Sequence, residues 1–316
     1  MPRILRTIDQ LVGDTPLVGL ARYARKQDCQ AKLLAKLEYF NPTGSIKDRA
    51  ALNMIKMAER LGKIRPGDTI VEQTGGNTGI ALAAFAIPRG YRVEIFLERG
   101  ASPERRLMLQ AYGVTLLDYK DALGVKTDEE RQAGWTEPDR EATVEEIEAY
   151  CQAKPGRYFM HQLVNPYNPD VHIQTTGPEI WTDTRGAVDI LVVAADTGGT
   201  LQGLSTYLRQ RKPDLQIVLV RPRHAAREDA KFTDQAPYDE RIEVGQRDAL
   251  LVARELIATE GLLAGPSAAR ALWAATQVAK REENAGKTIV VIMSDNSVKH
   301  LLTDAAQQLN EQERNA

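Results

Sequence analysis

Thr69-Ile70-Val71-Glu72 runs directly into Gln73-Thr74-Gly75-Gly76-Asn77-Thr78-Gly79, and Ile80-Ala81-Leu82-Ala83-Ala84 follows. A short apolar run, a glycine turn and a small-residue helix in that order make one strand–turn–helix unit. The unit recurs along the chain. Further strands are expected at 33–37, 92–97, 114–119, 190–195, 215–220 and 288–293, several of them continuously apolar, as strands covered on both faces are. Helical periodicity marks 48–61, 78–87, 103–112, 200–211, 247–259, 268–282 and 297–308. Ser102 followed by Pro103 reads as a helix cap with proline at the first position, and Gly62, Gly90, Gly113 and Gly261 stand where helices end. The alternation predicts an α/β fold with mostly parallel, twisted sheets flanked by helices.

A chain of 316 residues suits two cores better than one. Two segments break the rhythm, 120–141 and 221–243; both are charged and carry prolines, and both are expected to be loops or insertions. Charged residues make up 27% of the chain and the net charge is −2, so nothing draws it towards nucleic acid or an anionic membrane. The first twenty residues are interrupted by Arg3, Arg6, Asp9, Gln10 and Asp14, unlike a signal peptide or a spanning helix. Cys29 and Cys151 lie far apart, which fits a reducing cytoplasm without a disulfide framework. His161, His172, His224 and His300 show no ligand spacing, so no metal site is expected.

Asn41-Pro42-Thr43-Gly44-Ser45-Ile46-Lys47-Asp48-Arg49 opens a helix whose apolar residues Ala51, Met54, Ile55 and Ala58 share one face. Ser45 can cap it. Lys47 then sits in the first turn, where exposed N–H groups disfavour a cation and so favour the neutral amine a Schiff-base lysine needs. Read alone, the turn fits a merely solvated lysine better. Three strand-to-helix junctions offer ligand sites of the same ambiguity. The Gly75-Gly76-Asn77-Thr78 turn suits a carboxylate, or is a tight turn capped by Thr78. Asp196-Thr197-Gly198-Gly199-Thr200 suits a phosphate, unless Asp196 is merely the helix cap. Ser267 reads as the cap of a third helix. None matches a dinucleotide fingerprint, a P-loop or a nucleophile elbow.

Taken in order, these segments resemble the cysteine synthase family (the O-acetylserine sulfhydrylases, the B-type most closely) of fold-type II pyridoxal-phosphate enzymes. The run 42–49 looks like that family's lysine motif and Gly76-Asn77-Thr78-Gly79 like its substrate loop. His161-Gln162-Leu163-Val164-Asn165-Pro166 and Thr175-Thr176-Gly177-Pro178-Glu179-Ile180-Trp181 are similar to two further signature segments. The resemblance spans roughly residues 7–300.

It implies that pyridoxal 5'-phosphate is bound by Lys47, Asn77, Asp196, Thr197, Gly198, Gly199, Thr200 and Ser267. Lys47 is the implied Schiff-base and proton-transfer residue. Asn77 would face the cofactor's 3'-oxygen and Ser267 its pyridine nitrogen, where a serine favours β-elimination over transamination. Thr74, Gly75, Gly76, Thr78 and Gln162 would hold the substrate carboxylate. A smaller, mobile domain at 41–155 is implied, with a larger one from 1–40 and 156–316 carrying the phosphate loop. The implied reaction is β-substitution on O-acetylserine or O-phosphoserine through an aminoacrylate, giving L-cysteine or a related alanine, in a cytoplasmic homodimer.

Departures cluster at the site. Gly75 stands where the family has serine. Asp196-Thr197-Gly198-Gly199-Thr200 replaces a Gly-Thr-Thr-Gly-Thr loop, and two anions within 4 Å repel by roughly 4 kcal/mol at an effective dielectric near 20. Ala268-Ala269-Arg270 replaces Ser-Gly-Gly. The segment 221–243 is shorter than its counterpart and offers Arg221, Arg223 and His224 to an anionic substrate. Two alternatives follow: a degenerate homologue acting as a binding or regulatory subunit, or an enzyme that uses an amine nucleophile and makes a diaminopropionate derivative.

Overall fold

The computed structural model describes residues 4–133, 136–223 and 231–296. Among them are ten strands: β1 Leu17–Gly19, β2 Lys32–Leu37, β3 Thr69–Gln73, β4 Arg92–Phe96, β5 Thr115–Leu117, β6 Arg157–Phe159, β7 Ile190–Ala194, β8 Gln216–Pro222, β9 Glu240–Val244 and β10 Thr288–Met293. The chain separates into two compact units. One comprises the residues up to Asp9 and Ala50–Tyr167; the other comprises Gln10–Arg49 and the residues from Asn168 onward. The breaks expected at 41 and 155 are thus found after Arg49 and after Tyr167, and Lys47 belongs to the second unit. The cause is local: Ile46 N donates to Ser294 O at 2.9 Å, and Ser45 forms a bridge with Asp295, which pins the lysine turn to the end of β10.

The second unit is built on a sheet of order β1-β2-β10-β7-β8-β9, parallel except for β1. The continuously apolar strands are explained by burial on both faces. Leu33, Ala35, Ile190, Val192, Ile289 and Val291 enter one core, and their neighbours Leu34, Leu191, Val193, Val290 and Ile292 enter another. Two-residue alternation sends successive side chains to opposite faces, so both sets must be apolar. Ala268, Ala271, Leu272, Ala275 and Val278 of the helix Pro266–Ala279 cover the first face. Leu201, Leu204 and Leu208 of Gly199–Arg209 cover the second.

The first unit holds a wholly parallel sheet of order β5-β4-β3-β6. Its helix Asn77–Ala86 is buried from Thr78 to Ala86. A helix enclosed all round has no polar stripe, and small residues let its neighbours close in. Ser102 accepts from Arg105 N as a cap, and the four glycines at helix ends adopt left-handed φ of +67° to +86°.

The two segments read as loops are corrected. The first contains the short helices Tyr119–Leu123 and Asp128–Gln132, closed by capping boxes on Asp118 and Thr127. The second contains the end of β8, the helix Lys231–Gln235 and β9. Strand β9 lies at the sheet edge, where only Ile242 and Val244 face the core, so charged neighbours hid its alternation. With three residues each, β1 and β6 are too short to show a period. The helix expected at 297–308 and His224 and His300 lie outside the described residues. No helix among the described residues is long and apolar enough to cross a membrane.

Candidate active site

The lysine helix begins at Lys47 and runs to Arg60, and its first three residues, Lys47 to Arg49, belong to the second unit. Asp48, fully buried, closes the preceding turn by accepting from Thr43 N at 2.6 Å and from Thr43 Oγ1. Ser45 takes the expected capping part, its Oγ accepting from Lys47 N at 3.3 Å. Lys47 itself is half-buried, and no carboxylate among the described residues pairs with its amine.

Two residues on, Arg49 anchors the helix in a buried ionic cluster. Its Nε donates to Glu38 Oε2 at 2.7 Å and its Nη1 and Nη2 to the two oxygens of Glu179 at 2.7 Å each. Lys36, fully buried, pairs with Glu179 at 2.7 Å and donates to Thr15 O at 2.6 Å. Burial works against ionising Glu179, but hydrogen bonds and charge from Arg49 and Lys36 outweigh it and hold the carboxyl at about 2.

Beyond β7 the chain turns through Asp196 into the helix Gly199–Arg209. The N-cap is Gly198, at φ +81° and without a side-chain bond, so Asp196 is not the cap. Gly198 has to be glycine: a Cβ there would lie 2.3 Å from Thr233 N and 2.5 Å from Thr233 Oγ1. The helix Lys231–Gln235 therefore sits directly on this turn and presents Thr233 Oγ1, a buried hydroxyl with no hydrogen-bond partner. Asn168 Nδ2 donates to Thr197 Oγ1 at 3.3 Å. His172, on the short π-helical turn His172–Thr176, meets Thr200 Oγ1 through Nε2 at 3.2 Å and Thr176 Oγ1 through Nδ1 at 2.9 Å. Burial above all, then the charges of Arg49 and Lys47, push its pKa well down, so the ring is neutral. One imidazole thus touches the 196–200 turn and feels Lys47.

Asp196 is exposed, and its field reaches the half-buried guanidinium of Arg270, whose Nε has no hydrogen-bond partner. Ser267 is not a cap either. Gly265 is the N-cap and donates to Asp295 O at 3.1 Å, which leaves Ser267 half-buried in the first turn. Asp295 is therefore shared by the lysine turn and the Ser267 helix. Arg221 is buried at the end of β8 and Arg223 follows it.

The first unit brings together Thr74, Gly75, Gly76, Thr78 and Gln162, with Asn77 at the first helical position. Gly76 is the N-cap and Thr78 is not. Instead Thr78 Oγ1 donates to Gln162 Oε1 at 2.6 Å, and Gly76 N donates to Thr74 Oγ1 at 3.1 Å. Behind them lies Glu72, 2% exposed, accepting from Gln73 N at 2.9 Å and Gln162 N at 3.0 Å. Burial pushes its carboxyl up to about 8 despite those donors. A carboxyl raised in the native state keeps its proton while the unfolded chain loses it. Stability is then full below about pH 4.5 and declines as pH rises towards 8. Glu72→Gln is expected to flatten that decline in urea midpoints measured from pH 5 to 8. An unchanged slope would assign the pH dependence elsewhere.

Asn168, His172, Thr233 and Glu72 were not singled out as site residues from the sequence. His172 lies between the two signature segments 161–166 and 175–181, whereas Thr233 fell in a stretch read as loop, and neither gave a signal.

The profile of the family described as "Pyridoxal-phosphate dependent enzyme" matches residues 8–239. Cysteine synthase of Staphylococcus aureus is 36% identical over 318 aligned residues, covering 94% of this chain and 95% of that protein. Among solved structures, cysteine synthase from Entamoeba histolytica superposes with a TM-score of 0.83 at 32% identity, over 96% of this chain and 91% of that one. O-acetyl serine sulfhydrylase isoform 3 from the same organism gives 0.81 at 31% identity, over 96% and 92%. The chain belongs to the family of pyridoxal-phosphate dependent enzymes, with cysteine synthases among its relatives.

Proposed function

We propose that this protein catalyses pyridoxal-phosphate-dependent β-substitution on an activated serine, O-acetylserine or O-phosphoserine, giving L-cysteine or a related β-substituted alanine. The observation that carries the reading is Lys47: half-buried, without a carboxylate partner and held at a helix start by Ser45 and Asp48. Turns on the same unit fit the rest of the cofactor. The 196–200 turn opens a helix of eleven residues, and the orphaned Thr233 Oγ1 beside Gly198 is a donor suited to a phosphate oxygen. Ser267, released from capping, is free to meet the pyridine nitrogen.

When bound, the cofactor supplies the electron sink that makes the substrate's α-proton labile and its β-substituent a leaving group. The chain's own part is proton handling at Lys47 Nζ, binding of the carboxylate by Thr74, Gly75, Gly76, Thr78 and Gln162, and a hydrogen bond from Asn77 to the cofactor's 3'-oxygen. Neutral His172 orients Thr200 without adding a charge near the lysine. We place the enzyme in the cytoplasm as a homodimer, the setting that the family resemblance carries.

Asp196 lies within the field of Arg270, a second departure of opposite sign. A partial offset of the two charges favours an active enzyme over a degenerate homologue. Arg270→Ala is expected to weaken cofactor binding about tenfold, and Asp196→Asn in that background to recover most of it, since about 1.4 kcal/mol of uncompensated repulsion is a factor of ten. Equal losses from Arg270→Ala in the presence and absence of Asp196 would show that the pair is not coupled. The function itself is tested by colour and product. The purified protein should be yellow, and with sulfide it should form cysteine from O-acetylserine or O-phosphoserine. A protein that stays colourless with added pyridoxal phosphate overturns the proposal.

A further inference from the structure

Gly75 has lost the hydroxyl that the family's serine would place in the substrate loop, and the structure shows what stands in that space. Gly75 N donates to Glu98 Oε2 at 3.0 Å. A Cβ on Gly75 would lie 3.1 Å from both Glu98 Cβ and Glu98 Oε2, and only ordinary contact, 3.5 Å to Ala101 Cβ, is met elsewhere. The backbone of Gly75 is not in the left-handed region, so what the glycine provides here is room: a Cβ would press on Glu98, which would have to give by a few tenths of an ångström.

We propose that Glu98 is a specificity-determining residue of the substrate loop, an internal carboxylate that occupies the Gly75 N–H and lowers the loop's preference for substrate carboxylates. The loop lies at the N-terminus of the ten-residue helix Asn77–Ala86, where an anion is favoured. Glu98 already satisfies one of its donors, and Thr74 Oγ1 satisfies the Gly76 N–H at 3.1 Å. An incoming carboxylate therefore finds fewer open donors and a like charge beside them. Repulsion between anions in contact is large enough to govern selectivity even in partly exposed surroundings. Arg105, whose Nη1 donates to Gly75 O at 3.3 Å, holds the opposite side of the same peptide and keeps it facing Glu98.

The inference rests on the proposed function for its ligand, and two measurements separate the two. In the first, the holoprotein is titrated with L-serine and with L-serinamide, which differ in the charge of the carboxyl group, and binding is followed by cofactor absorbance. Glu98→Gln should tighten L-serine about tenfold and leave L-serinamide within about twofold, because removing a like charge acts on the carboxylate alone. Parallel shifts for both ligands, or no shift for either, overturn the role.

The second measurement needs no cofactor. Gly75→Ser should lower the urea midpoint of the wild type and lower it measurably less in a Glu98→Ala background, where the carboxylate no longer fills the space. Equal costs in the two backgrounds would mean that Glu98 does not occupy the loop. A colourless protein with unequal costs would sink the cofactor reading and leave the Glu98 contact standing.

Discussion

Lys47→Ala is expected to remove every borohydride-stable link to pyridoxal phosphate and to cut turnover by at least about a thousandfold, within the range assigned to a positioned general base. The fold should be unharmed. Lys47 is half-buried and carries no ion pair among the described residues, and substitutions without such anchors stay within about 0.5 kcal/mol. Its helix start is held by other groups: Ser45 Oγ on the Lys47 N–H, Asp48 on Thr43, and Ser294 O on the Ile46 N–H, all retained in the variant. Absorbance after borohydride reduction and dialysis reads the link, and a urea midpoint reads the fold. Retained turnover with a normal midpoint would refute the assigned role of the lysine.

Arg49→Met should be the most destabilising single change in the second unit, by about 3–5 kcal/mol, because it leaves buried carboxylates without their counter-charge. Glu38, 0% exposed, would keep only the neutral donors Thr15 Oγ1 at 2.7 Å and Asn41 Nδ2 at 3.0 Å. Glu179 would keep Lys36. In a domain of this size the loss corresponds to a fall in melting temperature on the order of 10 °C. Arg49→Lys should recover little, since one ammonium cannot reproduce a fork that bonds Glu38, Glu179, Thr15 and Thr175 together. Adding Glu38→Gln to Arg49→Met should restore part of the stability by removing the stranded charge. Failure of that partial rescue would mean the cost is packing, with the charge incidental.

The same cluster sets an acid limit. Glu179 is held at about 2, below the ordinary carboxylate value of 4.5. A carboxylate depressed in the native state stabilises above its unfolded pKa, so that contribution is lost as pH falls from about 4.5 towards 2. Arg49→Met should show a shallower acid limb. Since Arg49 lies two residues from Lys47, cofactor retention in this variant should fall together with stability.

Much of the architecture was legible because it rests on period. The apolar runs at β2, β3, β7 and β10 had to be strands covered on both faces, and the helices between them followed from spacing of 3.6 residues and from glycines at their ends. The lysine turn and the three junctions could be located, since turns announce themselves by composition. Which side chain capped which helix could not. Asp196, Thr78 and Ser267 were all plausible caps by residue type, yet glycines at 198, 76 and 265 hold those positions. Capping is decided by backbone angles and by what competes for the side chain, such as Gln162 for Thr78.

The sequence by itself determined the α/β class and the cofactor family and located the lysine turn at 41–49, because each depends on local pattern or on an ordered set of short motifs. Tertiary structure alone decided what became of the departures. Arg270 is 74 residues from Asp196 in the chain and Glu98 is 23 from Gly75, and no periodicity relates either pair. Long-range proximity is a property of how parallel strands stack their following turns. A missing hydroxyl at Gly75 leaves room that Glu98 fills, and the added carboxylate of Asp196 lies within the field of Arg270.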